Sequence, residues 1–121
     1  MAYVEGFVIP VPTPNRERFI AAAEAVDAVF LELGATRVVE CWGDDVPAGQ
    51  VTDFRRAVAA TAEETVAFSW VEWPDKATRD EGHGKMCRLM DTDPRFHDNA
   101  MPFDGERMIF GGFQPVVTLG D

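Results

Sequence analysis

Three stretches of the chain, together with Trp70, bring together residue types that can do chemistry. Cys41-Trp42 leads into Gly43-Asp44-Asp45, and Asp53 follows with Arg55 and Arg56, the densest charged group in a long connection. His83 stands between glycines in Gly82-His83-Gly84-Lys85-Met86, and Phe103-Asp104-Gly105-Glu106-Arg107 puts a carboxylate and a guanidinium just ahead of an apolar run. For general acid–base work the candidates are Asp44, Arg55, His83 and Asp104. His83 qualifies because an imidazole titrates near neutral pH. For ligand contact the candidates are Cys41, Trp42, Trp70, Phe103 and Arg107: aromatic lining suits a small-molecule pocket, and Arg107 can grip a carboxylate with two parallel bonds.

Each candidate also has a plainer use. A reactive Cys41 needs a cation or helix N-terminus to lower its pKa from roughly 8.5. Asp44 and Asp45 act the other way, so a small apolar Cys is the leading reading. Asp44, Asp53, Arg55 and Arg56 can lock their loop by salt bridges, and Asp104 can serve the turn that Gly105 permits. Trp42, Trp70 and Trp73 can anchor a core or an interface, and His83 can simply face water on a helix.

Other chemistries are excluded by pattern. Gly82-His83-Gly84-Lys85-Met86 lacks the upstream glycine and the following Ser or Thr of a phosphate loop, and no dinucleotide fingerprint, serine elbow or Cys-x-x-Cys is present. His83 and His97 lack the one-face spacing of a metal pair, so no metal and no cofactor is expected. The 21 acidic against 11 basic side chains give a net charge of −10, which argues against nucleic acid, whose phosphates call for clustered Lys and Arg. No apolar run approaches the roughly 20 residues of a membrane span. Two cysteines, Cys41 and Cys87, are no disulfide framework, so a cytoplasmic protein with no membrane contact is expected.

The elements that must position these residues follow from periodicity. Tyr3–Val11 reads as a strand with Tyr3, Phe7, Ile9 and Val11 on one side and Val4 and Val8 on the other. Pro10 and Pro12 are expected to end its ladder or mark an edge. A helix follows, with Thr13 as N-cap, Pro14 at its first position and Gly34 past its end. Its stripe is Phe19, Ala22, Ala23, Val26, Val29, Phe30 and Leu33. Thr36–Trp42 and Thr65–Trp73 read as strands. The connection between them, Gly43 to about Glu64, is weakly helical at best over 57–62, and a loop of that length is usually functional or a partner-binding arm.

Asp75 to about Met90 reads as a second helix, irregular where Gly82 and Gly84 each cost about 1 kcal/mol. Asp93-Pro94 opens a short turn through Asn99. Met108–Phe113 is the last strand, weakly extended by Val116 and Val117. The order β-α-β-β-α-β over 121 residues predicts one α+β, ferredoxin-like domain: a four-stranded antiparallel sheet with two helices on one face. The other face is apolar too, so a homodimer through that open face is expected, pairing two sheets into a dimeric α/β barrel.

Tyr3–Pro12, Glu40–Val46, Phe68–Val71 and the long Met101-Pro102-Phe103-Asp104-Gly105-Glu106-Arg107-Met108-Ile109-Phe110-Gly111-Gly112-Phe113 together resemble the domain-of-unknown-function 1428 family of YbaA-like bacterial proteins. The resemblance implies the dimeric α/β-barrel superfamily and no established activity. A label tying some members to signal-recognition-particle RNA runs against the −10 charge. Two functional readings remain: a small-molecule-binding or stress-related module, and a cofactor-independent monooxygenase- or isomerase-like enzyme. The enzyme would take a small aromatic or polyketide-like substrate in the sheet–helix cleft, with Trp42 and Trp70 lining it. An open cleft with His83 or Asp44 pointing in favours the enzyme, and a cleft filled by Trp and Phe removes it.

Overall fold

The computed structural model describes residues 2–98 and 100–120. Its elements are β1 Tyr3–Pro12, a 3-10 turn Thr13–Asn15, α1 Arg16–Glu32, β2 Arg37–Trp42, α2 Phe54–Ala57, β3 Glu64–Trp73, α3 Lys76–Thr92, α4 Pro94–Asp98 and β4 Ile109–Phe113. The four strands form one antiparallel sheet in the order β2-β3-β1-β4, the ferredoxin-like topology expected from the strand order. No helix among the described residues is long and apolar enough to cross a membrane.

Register decides which side chains share a face. Tyr3, Glu5, Phe7, Ile9 and Val11 of β1 stand opposite Trp73, Val71, Ser69, Ala67 and Thr65 of β3. Val38, Glu40 and Trp42 of β2 are in phase with them. This face meets α1 and α3: Ile9, Val11 and Ala67 cluster with Phe19, while Ala35, Val71 and Trp73 gather Phe30 and Leu33. The opposite face carries Val4, Val8, Phe68, Trp70, Ile109 and Phe113, with Phe68, Ile109 and Phe113 exposed.

Local chemistry explains where the elements depart from the periodicity. Pro10 and Pro12 do not end the ladder; they pair with Val66 and Glu64 inside it. Pairing with β4 stops at Val8↔Ile109, so beyond that point β1 has a free edge, where proline is tolerated. Thr13 is not a side-chain cap for α1. Its hydroxyl bonds that of Thr65 at 2.8 Å and its N–H donates to the Glu63 carbonyl, tying the helix start to β3. Gly34 ends α1 at φ 111°, as its position suggests. The weak helix expected over 57–62 sits slightly earlier, at α2, where the Asp53 carboxylate accepts from the Arg56 N–H at 2.7 Å.

The α3 helix runs unbroken through both glycines, capped by Asp75, which accepts from the Thr78 N–H. The short turn opened by Asp93-Pro94 is α4; Asn99 lies outside the described residues. Val116 and Val117 do not extend β4: they are exposed in a strandless tail.

Candidate functional site

Most of the residues singled out by type are held in structural contacts. Arg107 forks onto Glu64 with bonds of 2.7 and 2.6 Å and reaches Asp104 at 2.9 Å and the Ala59 carbonyl at 2.9 Å. That guanidinium holds the Glu64 carboxyl down at about 2 and keeps the exposed Asp104 below the usual carboxylate range. Arg55 donates to the Glu64 and Thr61 carbonyls at 2.8 and 2.6 Å, so both arginines clamp the end of the 43–64 connection. Asp44 is exposed and makes no hydrogen bond or ion pair among the described residues.

His83 is half-exposed, and its Nε2 lies 2.7 Å from a carboxylate oxygen of the buried Glu5. Glu5 also accepts from the Trp73 indole N–H at 2.8 Å and lies 3.3 Å from Arg79. This knot pins α3 to the sheet centre, so His83 is not the free surface histidine its sequence context suggests. Trp42 and Trp70 cannot line one cleft, because register sends Trp42 to the helix face and Trp70 to the open face. Cys41 pairs with Phe68 at the β2 edge and is a free, half-buried thiol that, with Trp42, lines the hollow between α1 and β2. Phe103 packs on Phe19, which in turn meets Trp42, with ring centroids 6.1 and 5.9 Å apart.

The cleft that does open on the helix face lies between α1 and β2, with a volume of about 490 Å³. Phe19, Ile20, Leu31, Val38 and Trp42 give it an apolar wall. Neither His83 nor Asp44 lines it. Its polar centre is a pair of carboxyl groups: Asp27 from α1, hydrogen-bonded to Glu40 from β2. Burial, then the hydrogen bond to Glu40, then repulsion from its charge push Asp27 up to about 9, so it is a neutral acid at pH 7. Glu40 Oε1 is fully buried and receives no hydrogen bond from the described residues other than what a protonated Asp27 supplies.

Reading by residue type missed this pair, although a signal was present. Glu40 shares the phase of Val38 and Trp42, and Asp27 adjoins the apolar stripe between Ala23 and Phe30. Each carboxyl therefore sits where the pattern puts apolar contacts.

Residues 2–105 match the family described as "Protein of unknown function (DUF1428)". This chain belongs to the DUF1428 family. It is 47% identical over 119 residues, covering 97% of this chain and 98% of the relative, to "Uncharacterized protein YbaA" of Escherichia coli (strain K12), and equally to the protein of that name in Shigella flexneri. Among solved structures, a dimeric ferredoxin-like protein from an uncultured marine organism superposes with a TM-score of 0.65 at 11% identity, covering 98% of each chain. A dimeric ferredoxin-like protein of unknown function from Jannaschia sp. CCS1 gives 0.52 at 14% identity, over 93% of this chain and 99% of that one. These two likenesses show the fold. The DUF1428 match spans every residue lining the α1–β2 cleft and stops just before β4.

Proposed function

We propose that this DUF1428 chain is a cytoplasmic homodimer, joined through its open sheet faces, that binds a small molecule in the α1–β2 cleft of each subunit. The observation that carries the ligand reading is the cleft itself: about 490 Å³, walled by aromatic and aliphatic side chains around one polar pair. That volume and lining are those of ordinary small-ligand sites. The open sheet face holds a larger hollow of about 750 Å³, but its lining of Val4, Val8, Phe68, Trp70, Ile109 and Phe113 is the apolar surface a second copy would cover. The fold neighbours described as dimeric support that arrangement. Free thiols at Cys41 and Cys87 suit a reducing compartment.

A thermal-shift panel of small aromatic and aliphatic compounds, read together with tryptophan fluorescence, tests the cleft. A ligand at 100 times its dissociation constant adds about 2.7 kcal/mol to the folded state. Trp42 lines the cleft and reports occupancy. The Ala28→Phe substitution, which places a ring in the cleft, should cancel both signals. Hits that persist unchanged in that variant, or a panel with no hit, would remove the cleft reading.

One observation favours a second reading, a cofactor-independent enzyme moving protons on a small aromatic or polyketide-like substrate. Asp27, its carboxyl held well above the usual carboxylate range by burial and by Glu40 beside it, is a proton donor at neutral pH in an apolar cleft. Turnover of a bound compound that disappears in Asp27→Asn while binding persists would establish it over simple binding.

A further inference from the structure

What the α1–β2 cleft takes can be argued from its charges, an argument that rests on the binding reading above. Four charged side chains line it: Arg16, Glu24 and Asp27 from α1 and Glu40 from β2. Arg16 is half-exposed, bonds the neighbouring Glu17 at 2.7 Å and lies over the Trp42 ring with its guanidinium carbon 6.0 Å from the centroid. It marks the mouth of the cleft and neutralises little of the interior. Inside, Glu40 Oε1 is buried away from water, a costly state for a carboxylate oxygen without a donor. The Asp27 proton is the only donor offered by the described residues, and Asp27 retains it far above the usual carboxylate range. A positive charge is missing from this wall, and a proton stands in for it.

We propose that the α1–β2 cleft binds a small organic ammonium ion, its N–H groups on Asp27 and Glu40 and its apolar body against Trp42, Phe19 and Leu31. As the ammonium enters, the O–H···O bond between the two acids is replaced by two N⁺–H···O bonds, and one proton leaves Asp27 for the solvent. Charge balances: one cation enters as one proton departs. Two adjacent carboxylates repel each other strongly in a poorly solvated wall, and a cation between them converts that repulsion into attraction. The apolar wall favours an organic cation over a hydrated metal ion. Among the described residues, no group of three or more potential metal ligands gathers. The chain's net charge of −10 raises the local concentration of any cation.

The test titrates benzylamine, benzyl alcohol and benzoate into the native protein at pH 7. Binding is followed by tryptophan fluorescence and by calorimetry in two buffers of different ionisation enthalpy. Benzylamine should bind at least tenfold more tightly than benzyl alcohol, benzoate should not bind, and about one proton should be released per amine bound. Asp27→Asn and Glu40→Gln should each weaken benzylamine at least tenfold and abolish proton release, with benzyl alcohol unchanged. Asparagine matches the protonated acid in shape, so Asp27→Asn carries the test if Glu40→Gln does not fold. Benzyl alcohol binding as tightly as benzylamine, or amine binding indifferent to Asp27→Asn, overturns the ammonium assignment and leaves the cleft reading standing. None of the three binding while the wider panel gives hits also overturns it, whereas an empty panel removes the cleft reading instead.

Discussion

Arg107 shows how one side chain can fix a loop far from it in sequence. Its planar fork meets both oxygens of Glu64, whose side chain is 6% exposed, and it still reaches Asp104 and the Ala59 carbonyl. Ala59 has φ 50°, in the left-handed region that disfavours a residue with a Cβ. The bond from Arg107 to its carbonyl helps hold that strained turn against the start of β3. A carboxyl held near 2 when folded, against an ordinary 4.5, stabilises the fold at neutral pH. The contribution is complete above the unfolded value and disappears as pH falls from about 4.5 to about 2. Arg107→Met should therefore lower the thermal midpoint at pH 7 by several degrees, and the gap to the native chain should close as the pH drops to 2. Midpoints followed across that range check this, and a gap that stays constant would refute it. Asp104 and Arg107 were legible as a pair because they are three apart. Glu64 was not, because only the fold brings it across 43 residues to the same guanidinium.

At the scale of elements, α3 separates two glycines that look alike in the sequence. A Cβ on Gly82 would lie 2.7 Å from Trp73 Cη2, whereas a Cβ on Gly84 would meet nothing within 4 Å. Gly82 is thus the close-approach point that lets α3 settle on the most buried tryptophan of the sheet, and Gly84 is only a helix-propensity cost. Gly84→Ala should stabilise by up to about 1 kcal/mol. Gly82→Ala should destabilise by about 1–3 kcal/mol despite the same gain in propensity, because overpacking displaces Trp73. Urea unfolding of the two variants decides it, and two shifts of the same sign would contradict the argument. Alternation and the 3.6-residue stripe made the strands, α1 and the β-α-β-β-α-β order readable in advance. Neither periodicity carries the contacts between elements. The Glu5–His83 pairing, the prolines inside β1 and the opposed faces of Trp42 and Trp70 all depend on strand register and on which strand lies beside which. The same limit hid the Asp27–Glu40 pair, whose members look like an ordinary helix acid and an ordinary strand acid until α1 is laid across β2.

For the whole molecule, the deciding quantity is the apolar face left by a sheet whose helices cover only one side. Phe113 is 61% exposed, and its ring lies over Gly6 and Gly111, within ordinary contact distance of where a Cβ would stand. With Phe68, Ile109 and Trp70 it forms a continuous surface across all three of β3, β1 and β4. A stable interface takes roughly 800 Å² from each partner, about a tenth of a small protein's surface, and a sheet face of four strands can supply that. Two copies each of charge −10 repel, so apolar contact must outweigh electrostatics, and association should strengthen as salt screens the charge. Light scattering coupled to size exclusion should give twice 13.4 kDa for the native chain at micromolar concentration, with the dimer fraction rising between low and physiological salt. Phe113→Glu should give a folded monomer: the side chain is water-exposed in one subunit, so the charge costs little there, but between two sheets it would be buried without a partner. A native chain that runs at monomer mass, or a Phe113→Glu variant that stays dimeric, would place the interface elsewhere. The α1–β2 cleft lies on the opposite side of the sheet, so ligand binding should survive in the monomeric variant, which separates the two halves of the proposal in one protein.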